Sequence, residues 1–384
     1  MSSGQFAFDQ PELGVGAKIR AMPLFFILMI LVLGGIGGAA LYSAANGSFV
    51  PWAKPHLIRF ALSIGIMLGF ALVDIRIWYR LSYPAYALAL ALLAGVEVAG
   101  KVGALGAQRW INLGFVQIQP SELMKIALVM ALARYFHTQL AEDAQRLRTL
   151  IVPLLMIGVP TAFVLLQPNL GTAIMLTLAG GAMLLVGGAR LWLFGVAIVT
   201  GAAAMPIALK LMHGYQKRRV MTFLDPSIDP LGAGYHITQS RIALGSGGLY
   251  GKGFLNGTQS HLNFLPEKQT DFIFPLLAEE WGFWGCIGLL GLFALVSYYG
   301  IVVGLRCRNQ FGRMLAIGLS INLFLYVFIN IAMVMGLIPV VGVPLPLISY
   351  GGTSMLAVMM GFGLVISALI HRETRMGLRY PLGD

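Results

Sequence analysis

The sequence predicts an all-α integral membrane protein, with about ten transmembrane helices and one long extracytoplasmic loop between the seventh and the eighth. Three observations predict it. Of the 384 residues, 58% are hydrophobic and only 11% are charged, whereas an ordinary soluble domain is about 25% charged. With a mean hydropathy of +0.81, soluble globular, disordered and collagen-like classes are excluded. The apolar residues gather into runs near the ~20 residues that a spanning helix needs. The net charge of +11 lies between those runs. That placement reads as membrane topology and not as a nucleic-acid-binding face, so no nucleic acid partner is expected.

The runs fall at about 22–44, 57–74, 82–99, 120–137, 150–167, 170–188, 191–211, 275–304, 313–336 and 352–370. The first is read as a retained helix. It exceeds the ~7–15 apolar residues of a signal core, and Asp9 and Glu12 precede it. With the N-terminus inside, 14 of the 26 Lys and Arg residues fall on one side, among them Arg76, Arg80, Arg134, Arg190 and Arg308. The short loops of the other side hold Lys54, Arg59, Lys101 and Arg109. Excess Lys and Arg marks the cytoplasmic side. Both termini are therefore expected in the cytoplasm, and the long loop, about 212–274, outside.

The chain reads as a single polytopic domain over 1–384, without an internal repeat. Glycine pairs such as Gly34/Gly38, Gly180/Gly181 and Gly187/Gly188 read as close helix packing. The eighth run would extend ~45 Å at helical rise, against a hydrocarbon core of ~30 Å. Its first turns, with Glu279, Glu280 and Trp281, are expected in the outer headgroup layer or along a polar cavity. Cys286 and Cys307 would stand ~31 Å apart in one helix and cannot bridge. No Cys/His cluster suggests a structural metal.

Ionisable residues in or near the spans are few, which makes each informative. Glu122 and Lys125 open the fourth run at i,i+3 spacing, on one helical face. Pro120 and Glu122 also suit the first turn of a helix, so capping accounts for Glu122, although not for Lys125. Glu97 reads as an interfacial end residue. Arg109 beside Trp110 fits an interface anchor or a phosphate ligand. Asp271 stands before the aromatic-rich run Phe272-Ile273-Phe274 that leads into the eighth span. It fits either a helix cap or a partly desolvated carboxylate at headgroup depth, near Lys268. Gly245 through Gly253 invites a nucleotide-loop reading, but Ser246 stands where the first Gly belongs and Gly253 where Ser or Thr belongs. A structural turn is the expectation there. One carboxylate with Lys and Arg suits glycosyl transfer from a lipid diphosphate. The acceptor hydroxyl needs a base, and the leaving group needs cations more than a proton donor. A transporter could use the same residues for a polar pathway.

At these residues the sequence resembles the SEDS family of bacterial cell-wall polymerases, its RodA members more closely than its FtsW members. The matching stretches are Ala107 to Asn112, Gln119 to Glu122, Asp225-Pro226 with Gly234-Tyr235-His236, and Gln239 to Gly253. They continue with Phe264 to Glu267, Thr270 to Phe274, Ala278 to Gly282, and Pro339 to Gly352. The resemblance implies a peptidoglycan glycosyltransferase of the bacterial inner membrane. It would polymerise lipid II during cell elongation on the outer side and release undecaprenyl diphosphate. It implies Asp271 as the general base. Arg109, Glu122 and Lys125 would line the substrate site, with Arg109 and Lys125 on the diphosphate and Glu122 orienting Lys125. A class B penicillin-binding protein, a transpeptidase, and the elongation machinery are the implied partners. A lipid II flippase and an FtsW-like division polymerase are the alternatives. One departure stands out. Family members carry Asp in Gln-Pro-Asp-Leu-Gly-Thr, and this chain has Asn169. Asn169 is therefore left out of the site, no metal is assigned, and a divalent cofactor stays open.

Overall fold

The computed structural model describes residues 14–99, 101–102, 108–112, 117–139, 146–167, 169–211, 214, 217, 221–223, 225, 232–262, 264–265, 267–374 and 376. Each expected apolar run holds a helix. After the short α1 (Val15–Arg20) come α2 (Leu24–Ala44), α3 (Ala53–Leu72) and α4 (Ile75–Ala99). Asp74 starts α4 by accepting from the Arg76 amide at 2.8 Å, the usual service of a short carboxylate at a helix start. Next are α5 (Pro120–His137), α6 (Leu147–Leu166), α7 (Leu170–Val186) and α8 (Leu191–Leu211). The segment between α8 and the next long helix contributes α9 (Ala233–Ser246) and α10 (Thr258–His261), and the chain closes with α11 (Ile273–Arg306), α12 (Gln310–Val334) and α13 (Gly352–Ile370). Six of these, α2, α3, α6, α11, α12 and α13, are long and apolar enough to cross a membrane.

The centre of the bundle is α5. It packs against α4, α6, α7, α12 and α13, and its residues are buried on nearly every face, as expected of a helix walled in by others. That position brings its polar first turn, with Glu122 and Lys125, into the interior. The pair Gly34/Gly38 acts as a packing surface, whereas Gly187 and Gly188 follow the end of α7. A Cβ at Gly34 would run into the Phe60 ring, and one at Gly38 would stand 2.8 Å from Leu57, so α2 and α3 lie close.

Two features depart from the expected outline. The segment between α4 and α5 carries a small antiparallel sheet of β1 (Lys101–Val102), β2 (Gln108–Asn112) and β3 (Gln117–Ile118), with Ile111 opposite Ile118. The Thr353 hydroxyl donates to the Gln117 carbonyl at 3.1 Å and ties this sheet to α13. Also, α11 is two helical pieces joined at Gly282, whose φ of 67° and ψ of −165° break the helix. The piece after the break would span ~37 Å at helical rise, much nearer one membrane crossing than the whole element.

The glycine-rich stretch explains the break. The Lys252 and Gly253 amides donate to the Glu279 and Glu280 carbonyls at 2.9 and 3.0 Å, and the Phe283 amide donates to Gly248 at 2.9 Å. A side chain at Gly251 or Gly282 would collide with the facing backbone. The stretch is thus a brace around the kink, as a structural turn requires, and not a phosphate loop. Buried Glu279 completes the brace. It accepts from Lys252 Nζ at 2.7 Å, Thr258 N at 2.9 Å, Thr258 Oγ1 at 2.8 Å and Gln259 N at 3.1 Å. The other side of α9 closes the end of α12. The Ser240 hydroxyl donates to Val334 O at 2.6 Å, and Arg241 donates to Met335 O and Gly336 O, satisfying carbonyls that a helix end leaves open. Most of 212–231, including the turn-dense 226–230, lies outside the described residues.

Candidate active site

A cavity of about 200 Å³ opens between the first turn of α5, the Asn169 end of α7, the Thr270–Asp271 turn, the middle of α12 and the chain from Gly342 to Ser354. Three of the four expected site residues, Asp271, Glu122 and Lys125, line it together.

Asp271 sits in a turn whose backbone is clamped by residues far away in sequence. Asn330 Nδ2 donates to Asp271 O at 3.0 Å and to Val343 O at 2.7 Å. The Ser349 hydroxyl donates to Thr270 O at 2.6 Å, and the Tyr350 amide donates to Gln269 O at 2.7 Å. The next residue, Phe272, stacks on His236 with ring centres 5.7 Å apart. Gly342 holds a φ of 73°, and a Cβ there would stand 3.3 Å from Asp271 Oδ2. Only a glycine accommodates both that backbone and that approach. Capping does not account for Asp271. Phe272 occupies the N-cap position of α11, and no side chain caps that end. Outside the spans, burial pushes the Lys268 ammonium below its ordinary value.

Glu122 and Lys125 form a buried pair, with Nζ 2.6 Å from Oε1. The Tyr326 hydroxyl donates to the other Glu122 oxygen, and the ammonium lies 4.1 Å from the centre of the Tyr326 ring. The helix-start reading holds, with Pro120 at the first helical position and Glu122 in the first turn, but it is not all that Glu122 does. The N-cap of α5 is Gln119, without a side-chain cap bond, and the Glu122 carboxylate is directed to Lys125 and Tyr326. A buried ion pair is costly to desolvate. The ring face and the hydroxyl of Tyr326 offset part of that cost.

Arg109 lies on β2 beside Trp110, which lines the cavity. The side chains of Arg109 and Glu97 lie outside the described residues. Asn169, left out of the expected site, is on the wall. It caps α7 by accepting from the Thr172 amide at 3.5 Å, a task that Asn performs as well as Asp. Glu279, expected along a polar cavity or in the headgroup layer, is consumed by the loop brace. Tyr326 and Asn330 were missed by reasoning from charge. Their signal is a polar stripe, Asn322, Tyr326 and Asn330, at every fourth residue of an apolar run. Among the described residues, no group of His, Cys, Asp and Glu is arranged to hold a metal. The cavity therefore offers a positioned carboxylate as a proton acceptor, facing a cation and several neutral polar groups.

Comparison with known proteins places this arrangement. The family model described as a cell cycle protein, FtsW/RodA/SpoVE, matches residues 18–375. The peptidoglycan glycosyltransferase MrdB of Escherichia coli K12 is 43% identical over 357 residues, 93% of this chain and 95% of that one. A probable peptidoglycan glycosyltransferase FtsW of Aliivibrio salmonicida is 38% identical over 372 residues, 96% of this chain and 92% of that one. A solved chain described under the structural coordination of polymerization and crosslinking by a peptidoglycan synthase complex superposes with a TM-score of 0.77. Its identity is 30%, over 93% of this chain and 99% of that one. The rod shape determining protein RodA of Thermus thermophilus gives a TM-score of 0.67 at 28% identity, over 91% of this chain and 97% of that one. Apolar helices, the family match and similarity along nearly the whole chain agree, and the protein is an integral membrane member of the FtsW/RodA/SpoVE family.

Proposed function

We propose that the protein is a peptidoglycan glycosyltransferase that polymerises lipid II during cell elongation. The observation that carries this reading is that Asp271 and the Lys125–Glu122 pair line one cavity. Asp271 takes the proton of the acceptor GlcNAc 4-hydroxyl. That oxygen attacks C1 of the donor MurNAc with inversion from α to β, and the bond to undecaprenyl diphosphate breaks. Lys125 and Arg109 serve the leaving diphosphate, and Glu122, held by Tyr326, orients Lys125. The higher identity to MrdB than to the FtsW relative supports elongation over division.

The protein resides in the bacterial inner membrane, with both termini in the cytoplasm and the cavity toward the outer side. The distribution of Lys and Arg supports that orientation. Its partner is a class B penicillin-binding protein of the elongation machinery. Similarity to a chain from a complex that coordinates polymerization and crosslinking supports the pairing. The test is purified protein given labelled lipid II, with and without its transpeptidase, beside Asp271→Asn. Polymer from the wild type and none from a folded mutant is the expected result. No polymer even with the partner and added divalent cations would overturn the reading, and lipid II flux across liposomes would favour a flippase.

A further inference from the structure

The charge on the cavity wall does not suit a diphosphate. The described ionisable side chains that carry charge there are Glu122, Lys125 and Asp271. Lys125 is 1% exposed and its ammonium is committed to Glu122. A close ion pair acts at a distance nearly as a neutral group, so this pair by itself offers a diphosphate little net attraction. A diphosphate carries several negative charges, and repulsion in a partly desolvated cavity is strong. Arg109 is expected to supply one cation. One guanidinium does not balance the several negative charges of a diphosphate.

We propose that Arg59 is a second anion ligand at the outer rim of the cavity, presented by Tyr350 to the diphosphate of the substrate. Arg59 lies in the second turn of α3, exposed, with its guanidinium 4.9 Å from the centre of the Tyr350 ring. Tyr350 is itself a wall residue. The stem of Arg59 passes Gly352, where a Cβ would stand 3.4 Å from its Cδ. Among the described residues, Arg59 has no carboxylate partner. Stacking on a ring occupies one face of a guanidinium and leaves the N–H donors at its edge, in the fork that matches phosphate oxygens. The support is firm, because the Tyr350 amide is bonded to Gln269 and Ser349 to Thr270. Arg59, through Tyr350, therefore keeps a fixed relation to the turn that carries Asp271. Identification of the diphosphate as that of a lipid-linked donor rests on the polymerase reading.

The test measures equilibrium binding of undecaprenyl diphosphate, and separately of inorganic pyrophosphate, to the full chain in detergent. Wild type, Arg59→Gln and Arg59→Lys are compared at fixed salt. Arg59→Gln is expected to weaken binding of undecaprenyl diphosphate about tenfold, the scale of one charge-assisted contact. Arg59→Lys should fall between, since it keeps the charge and loses the planar fork. In turnover with lipid II, Arg59→Gln should lower kcat/KM by at least a similar factor, since the diphosphate gains negative charge as its bond to C1 breaks. A loss with both ligands supports a contact open to free pyrophosphate, and a loss confined to the lipid form supports one made only by the anchored substrate. Equal binding by wild type and folded Arg59→Gln overturns the proposal, as does a wild type that binds neither ligand. Arg59-dependent binding with no polymer from lipid II keeps the anion site and removes the polymerase. Polymer formation whose kcat/KM ignores Arg59 does the reverse.

Discussion

Two Glu–Lys pairs have nearly the same contact and opposite surroundings. Glu122–Lys125 closes at 2.6 Å and Glu279–Lys252 at 2.7 Å. Glu279 also accepts from two backbone amides and the Thr258 hydroxyl, and its lysine keeps 30% of its side chain exposed. The desolvation of that carboxylate is offset by hydrogen bonds, and the pair fastens α9, α10 and the glycine brace to α11. The lysine of the other pair is sealed, and its carboxylate turns to a tyrosine across the bundle and borders a cavity. A saturated pair holds structure together. A sealed pair on a cavity wall holds polar groups at a fixed place beside the space a substrate would fill.

That contrast can be broken by experiment. The largest effect is expected at Asp271, which shares the cavity with the sealed pair. Asp271→Asn should cut the polymerisation rate by about 10²–10⁴, the contribution of a general base, and leave the thermal unfolding midpoint in detergent unchanged. A lowered midpoint would make Asp271 a structural residue like Glu279. Next is Glu279→Ala, which leaves the Thr258 and Gln259 amides without their acceptor and should cost about 2–5 kcal/mol of stability, at about 1–3 kcal/mol for each stranded donor. Unfolding no earlier than the wild type would erase the distinction between the pairs. Tyr326→Phe should be milder. It keeps the ring beneath Lys125 and removes one charge-assisted hydrogen bond, a loss of about 1.5–3 kcal/mol. Split between activity and unfolding, that loss should fall mainly on kcat/KM if the sealed pair serves the substrate.

The smallest expected effect is a pH slope. The Lys268 ammonium is held below its ordinary value of 10.5 by burial, so the folded protein sheds this proton before the unfolded chain does. Stability therefore rises with pH across the window between the folded value and 10.5, and is lowest below the folded value. Lys268→Met should flatten that part of the curve when unfolding is followed over a series of alkaline pH values. An unchanged slope would remove Lys268 as its source.

Much of the outline was legible because membrane helices are written locally. Each apolar run holds a helix, with ends shifted by a few residues, as at α3, which starts at Ala53 and not at 57. The excess length of the eighth run was visible, but its break was not. Gly282 takes its left-handed φ where the backbone of Tyr250 and Gly251 crosses it, and nothing near Gly282 in the chain announces that crossing. The small sheet around Arg109 was passed over, since strands of two to five residues make almost no periodic signal. Asp271, Glu122 and Lys125 stood out because charges are rare in such a chain. A capping role for Asp271 could not be dismissed from sequence, since Asp is common at helix starts for ordinary reasons.

Helix placement needs only a run of about 20 apolar residues, and orientation only the Lys and Arg on either side. Both are properties of neighbours in the chain, so composition and order settle where the helices and their charged ends fall. Which polar groups meet is a property of packing. Tyr326 reaches Glu122 across 204 residues, and Asn330 reaches Asp271 across 59. Gly342 makes room for a carboxylate that no local pattern links to it. Such pairings exist only once α5, α12 and the chain before α13 have closed around one cavity, because a hydrogen bond depends on distance in space and not on separation in sequence.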